Sequence, residues 1–281
     1  MINIISLFPI NFTHLERQIN LKLHILFLLL ISMHVDAEPL VNNVDEKITI
    51  SIAAIDWCPQ ICYQDIEKGY VVELVEEVFK GTRYQLNIEI YPWSRAIKLV
   101  TEGKADALLS PAKAEAPQLL FPENSVGKQQ MCFFTSKNSK WTYSGVSSLK
   151  DKLIGIATDT SIEELNEYAE LNPQQFQYQP YHERYIIQNA HKLDKQRFDT
   201  FLFTKNSTVY ELKRLNKWHN YRIAGCVSQA KIYMAFSPLK SANKNIEKLM
   251  NVFDQQMVEL NKTGFMSALM KKYGLLDKLG K

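Results

Sequence analysis

From Lys47 to Ile55 the chain reads KITISIAAI, β-branched and apolar positions alternating with smaller or polar ones, which predicts a strand ending at Asp56-Trp57-Cys58-Pro59. The period then changes. After Gly69, residues Val72, Leu74, Val75, Val78 and Phe79 fall at helical spacings, and Gly81 closes the pattern. A second strand is expected over Tyr84 to Tyr91 (YQLNIEIY), where Leu86, Ile88 and Ile90 alternate with polar residues until Pro92. A helix follows from Ser94, carrying Ala96, Ile97, Leu99 and Val100, with Gly103 as its cap. Ala105 to Leu109 (ADALL) is apolar with little alternation, as a buried parallel strand should be.

The same order restarts downstream. Lys152 to Ala157 (KLIGIA) predicts a strand, and a helix is expected to start at Thr160-Ser161 and run through Leu171. A helix over Tyr185 to Leu193, a strand over Phe198 to Phe203, a helix over Tyr210 to Trp218 and a strand over Lys231 to Phe236 follow, the last leading to Pro238. The tail from Ala242 to Tyr273 holds two amphipathic helices hinged at Thr263-Gly264. Alternating strands and helices with short loops imply parallel sheet with right-handed crossovers. Two such α/β units stand in tandem, and the helical tail comes after them.

The N-terminus adds a compartment. Arg17 and Lys22 precede an apolar run from Leu23 to Met33, and Val35-Asp36-Ala37 offers small residues at −3 and −1. This is the pattern of a secretory signal peptide, and the run is shorter than the ~20 residues that span a bilayer. Cleavage is expected near Ala37, giving a mature chain from Glu38 in the periplasm, and the long stretch before Arg17 suggests a start codon further downstream. The net charge of +3, without a Lys/Arg run or basic–aromatic stripe, leaves no footprint for nucleic acid. Cys58, Cys62, Cys132 and Cys226 are an even set in a chain bound for an oxidising space. Four cysteines allow three pairings; the close spacing of Cys58 and Cys62 makes them the preferred pair and leaves Cys132 with Cys226. A Cys-x-x-x-Cys pair with no nearby His is not a zinc spacing.

Several segments bear a family likeness: GYVVELVEEVF (Gly69 to Phe79), PWSRAIKLVTEGKADALL (Pro92 to Leu109), LKDKLIGIATDTS (Leu149 to Ser161) and VFDQQMVELNKTGFMSALMKKYGL (Val252 to Leu275). In this order and spacing they resemble the type II periplasmic solute-binding proteins, the family of bacterial amino-acid importers. The resemblance implies a two-lobed α/β fold, each lobe a sheet flanked by helices, with a ligand cleft between. Lobe 1 is expected over 38–128 and 237–281 and lobe 2 over 129–236. The crossing segments are expected near Gly127 to Cys132 and Met234 to Pro238.

In open α/β sheets ligands lie beyond the carboxyl ends of the strands, so residues just after each strand become the site candidates. Trp57 and Trp93 are expected to face the cleft and stack on ligand, the alternative being ordinary core. Arg95 either meets an anionic ligand group or pairs with a nearby carboxylate. Ser110 follows the third strand. Thr160 and Ser161, at a helix start, either hold an anion on exposed N–H groups or simply cap the helix.

Two positions depart from the family. The resemblance implies an Arg for the ligand α-carboxylate and an Asp for its α-ammonium, and these positions fall on Glu115 and Thr204. With both charged partners gone, a zwitterionic amino acid is a doubtful ligand. Glu115 either receives a cationic or hydroxyl-rich ligand or is a solvated loop carboxylate, with Arg95, Lys113 and Lys205 near enough in sequence to offer anion contacts. The expected activity is binding of a small polar solute by a monomer. Its partner would be an inner-membrane permease of the ABC type, or alternatively a membrane signalling protein. An enzyme on the same fold ranks last, because no Ser–His–Asp or Cys–His arrangement is present. With no phosphate-cradling Gly loop, EF-hand or His cluster, no cofactor and no metal are expected.

Overall fold

A computed structural model describes residues 47–63, 66–240 and 246–275. The expected signal segment 1–37 and the mature start at Glu38 lie outside the described residues. The N-terminal half begins as the hydrophobic pattern requires. Strand β1 (Ile48–Ala54) lies between β2 (Tyr84–Ile90) and β3 (Ala107–Ala112), parallel to both. Helix α1 (Tyr70–Phe79) turns Tyr70, Val71, Leu74, Val75 and Val78 into the core, and α2 (Trp93–Thr101) buries Trp93, Ala96 and Val100. Gly69, which precedes α1, cannot be replaced. Its φ is +95° and an added Cβ would lie 2.5 Å from the Gln60 carbonyl oxygen.

Beyond β3 the chain enters β4 (Gly127–Ser136), then β5 (Ile154–Ala157), α3 (Asn166–Leu171), β6 (Phe176–Gln179), α4 (Tyr185–Asp194), β7 (Thr200–Thr204), α5 (Lys205–Arg214) and β8 (Tyr221–Phe236). Helices α6 (Ile246–Lys262) and α7 (Phe265–Lys272) close it, with left-handed Gly264 at the expected hinge. The strands form one mixed sheet in the order β2-β1-β3-β8-β4-β7-β5-β6. Each lobe therefore does not have a separate hydrogen-bonded sheet. The two segments that cross between lobes are themselves extended and pair with each other, from Gly127↔Ile232 to Ser136↔Tyr221 with register shifts at Gln130/Cys132 and Phe133/Phe134, so the sheet continues from one lobe to the other.

The side chains nevertheless divide into two cores. One gathers Ile50, Ile52, Leu74, Val75, Phe236 and Phe253, and α6 and α7 pack onto it. The other gathers Phe133, Phe134, Ile154, Phe201, Leu202 and Leu212. Phe134 and Phe201 stack with centroids 5.2 Å apart. Strand β8 leaves the second core at Val227 and enters the first at Ile232. Mixed α/β layers with two cores and two crossing strands make the molecule two-lobed.

The departures have local causes. No helix starts at Thr160-Ser161: Asp159 and Glu163 both hold positive φ, so the chain turns, makes a short 3-10 turn at Glu163–Leu165 and only then enters α3. Strand β6 (FQYQ) is too short and polar to declare itself, and α5 starts at Lys205 instead of Tyr210 because its first turn is polar. The disulfides are Cys58–Cys62 and Cys132–Cys226, the preferred pairing.

Candidate ligand-binding cleft

The carboxyl ends of β1, β2, β3 and β7 converge between the two cores, and there the lobes touch. Trp57, just after β1, donates its indole N–H to Thr204 Oγ1 at the end of β7, 3.1 Å away. Three residues on, Gln60 donates through Nε2 to Ser207 Oγ on α5 at 3.1 Å. On the other flank, Trp93 at the start of α2 donates its indole N–H to the Asp159 carbonyl at 3.0 Å, and Ser94 Oγ donates to the Asp159 carboxylate. Each such bond is worth a net ~0.5–1.5 kcal/mol, so together they bias the lobes toward closure by a few kcal/mol.

Enclosed by these contacts is a small cavity of about 30 Å³, little more than the room one water needs, so a solute of several heavy atoms requires the lobes to move apart. The first lobe supplies Ile55, Trp57, Trp93, Ser110 and Glu115 to its wall; the second supplies Gln129, Thr160, Tyr181, Phe203 and Thr204. Both Trp rings are buried, and Tyr181 stacks on Phe203 with centroids 5.2 Å apart. Ser110 sits at φ +72°, a strained conformation for a non-glycine residue. Its hydroxyl and the Gln129 Nε2 are buried in this wall without a protein hydrogen-bond partner.

Glu115 is not a solvated loop carboxylate. Its Oε2 accepts the Ala112 backbone N–H at 2.7 Å, and its Oε1 accepts the Ser161 backbone N–H across the cleft at 3.2 Å. Burial pushes its pKa up from 4.5 to about 7; the two N–H donors oppose this and the Glu163 charge adds to it. The turn at Thr160-Ser161 starts no helix and caps none, and the anion its backbone holds is internal. Its N–H meets a carboxylate that belongs to the protein, and Ser161 Oγ accepts the Glu163 N–H at 3.2 Å.

Arg95 is corrected. It is exposed on α2, with its guanidinium 5.3 Å from the Tyr91 ring centre, and takes no part in the wall. Lys113 lies over the Phe121 and Tyr233 rings instead of the cleft, and Lys205 lines a separate groove beside β4. Ile55, Gln129, Tyr181 and Phe203 are wall residues that sequence reasoning missed; Ile55 and Phe203, within or beside strand ends, were open to the same rule that found Trp57. Among the described wall residues there is no Lys, Arg or His.

Residues 50–276 match the bacterial extracellular solute-binding proteins, family 3. The chain belongs to this family. Among solved structures it is similar to a histidine kinase sensor domain with similarity to periplasmic binding proteins (18% identity, 82% of this chain and 97% of that one, TM-score 0.68). It is also similar to the probable amino-acid ABC transporter extracellular-binding protein ytmK from Bacillus subtilis (22% identity, 82% and 99%, TM-score 0.61). A third is a putative L-cystine ABC transporter protein from Listeria monocytogenes (18% identity, 82% and 97%, TM-score 0.65). At these identities the likeness establishes the fold. No curated protein matches the chain in sequence. No described helix is long and apolar enough to cross a membrane.

Proposed function

We propose that the protein works outside the cytoplasmic membrane as a binding protein that closes its lobes on a small polar solute and presents the closed form to an ABC-type permease. The observation that carries this reading is a cavity whose wall is shared between the lobes and edged by direct interlobe bonds from Trp57, Gln60 and Trp93. A solute touching both walls stabilises closure by its differential contacts, and a partner can read closure as a change of surface. The family and the importer-type neighbours support transport. Glu115 fits a binding role, since both its oxygens are held by backbone N–H groups. A second reading, an extracytoplasmic sensor for a membrane kinase, is favoured by the likeness to the sensor domain.

Thermal unfolding of the purified protein against amino acids, polyamines, sugars, short peptides and organic acids tests the binding step. A solute at 100 times its Kd should add ~2.7 kcal/mol of stability, several degrees in Tm. Trp93→Ala should weaken binding of the positive solute by roughly 1–3 kcal/mol through loss of stacking. Unchanged calorimetric affinity in a folded variant would return Trp93 to a purely structural role. Transport and sensing separate in cells: deletion of the gene abolishes uptake of the solute in the first case and leaves uptake intact in the second.

A further inference from the structure

Resting on the reading of this cleft as a solute site, the geometry points to one ligand class: a small organic cation without a carboxylate, an amine or quaternary ammonium that also carries an uncharged polar group. Four aromatic side chains, Trp57, Trp93, Tyr181 and Phe203, face the space from both lobes. Aromatic faces present negative charge density and attract a desolvated cation, most of all one that cannot make many hydrogen bonds. The same wall holds one carboxyl group, Glu115, and among its described residues no basic side chain.

An anion finds no oppositely charged side chain among the described residues of such a wall. The backbone N–H that would have received a ligand carboxylate, on Ser161, is already taken by Glu115 at 3.2 Å. Glu115 therefore does two things at once. It fills the anion's seat from within and, when ionised, puts negative charge at the cavity edge, where two of its four lone-pair directions remain for a ligand. At the aromatic end of the cleft, burial first and then the Asp56 and Glu211 charges raise the Tyr181 pKa, which keeps that hydroxyl protonated, while Glu211 itself is paired with Arg214. Ser110 Oγ and Gln129 Nε2 are buried without protein partners in the same wall, and such groups call for a polar atom on the ligand.

Titration of Glu115 supplies a signature. The charged and titratable groups around it are Glu163 and Asp159 on the opposing turn, Lys98 on α2 and Glu102 just after it, and Glu170 and Tyr178 at the rim. Glu163 is the neighbour whose charge measurably acts on it, and this charge raises its pKa. A bound cation acts oppositely, so binding expels a proton and strengthens as pH rises through about 7.

The experiment uses the purified protein with choline, tetramethylammonium and phenethylamine, against arginine, cystine, glutamine, citrate and glucose, at constant ionic strength. Unfolding temperature and calorimetric affinity are read at pH 5.5 and 8. At least one of the three cations should bind, more tightly at pH 8, with proton release seen as a dependence on the buffer's ionisation enthalpy. Glu115→Gln should weaken that cation roughly 30-fold at pH 8 and abolish the proton release. Binding of a zwitterion, acid or sugar with none of the cations would overturn the cation assignment and leave the cleft reading standing. No binding by any compound would overturn both. A cation that binds equally well to folded Glu115→Gln, or equally well to the unaltered protein at both pH values, would also overturn the assignment.

Discussion

Replacing Cys132 and Cys226 together by Ala should lower the unfolding free energy by about 2–5 kcal/mol. The two residues face each other directly across β4 and β8, the strands that carry the chain between the lobes, and they are 94 residues apart in sequence. A cross-link over so long a loop removes much of the freedom of the unfolded chain, ~4.7 kcal/mol for a 100-residue loop in the chain-entropy model. Cys132 is also fully buried, so its replacement leaves a small void that adds to the loss. Urea denaturation of the oxidised protein and the double variant checks this, and an unchanged midpoint at an unchanged slope would overturn it. The Cys58–Cys62 bond closes a loop of sequence separation 4 and should contribute far less to global stability. Its effect should be felt instead on the segment that carries Trp57 and Gln60 to the second lobe.

Much of the first lobe was legible because strong periodicity and Gly/Pro punctuation coincide there. The expected strands over 47–55 and 84–91 and the helices from Gly69 and Ser94 differ from β1, β2, α1 and α2 by a residue or two at the ends. In the second lobe structure comes from partners distant in sequence. The first half of β8, around Arg222, Gly225, Ser228 and Gln229, has no alternating pattern, because its strand character comes from pairing with β4. The missing β6 concealed Tyr181, which follows it, and with it one of the cleft's aromatic rings.

The rule that ligands sit beyond strand ends pointed to Trp57, Trp93 and Ser110, the expected helix start to Thr160 and the family resemblance to Glu115 and Thr204, and all six line one cavity. Gln129 escaped the rule because it lies within a crossing strand, not after one. Arg95 was open to correction from spacing alone. The buried face of α2 is Trp93, Ala96 and Val100, and a residue two positions from Trp93 points away from it. What no local pattern could disclose is that Glu115 reaches the opposite lobe.

That reach makes stability depend on pH in an uncommon direction. A carboxyl of ordinary pKa 4.5 is held at about 7 in the folded protein, chiefly by burial. Between those values the folded state keeps a proton that the unfolded chain has released. The stabilisation tied to Glu115 is therefore complete below pH 4.5 and lost as pH rises through 7, a change of up to about 3 kcal/mol. Glu115→Gln mimics the neutral form and should be nearly indifferent to pH at this site. Urea unfolding of both proteins should show the variant gaining on the unaltered protein by on the order of 2–3 kcal/mol from pH 5 to pH 8, all other titrations cancelling in the difference. A flat difference over that range would mean that the folded carboxyl titrates like a solvated one. The same experiment with a saturating organic cation separates stability from recognition. If the cation seats against ionised Glu115, it should restore at pH 8 the stability that the buried charge removes, and do so only in the protein that retains the carboxylate.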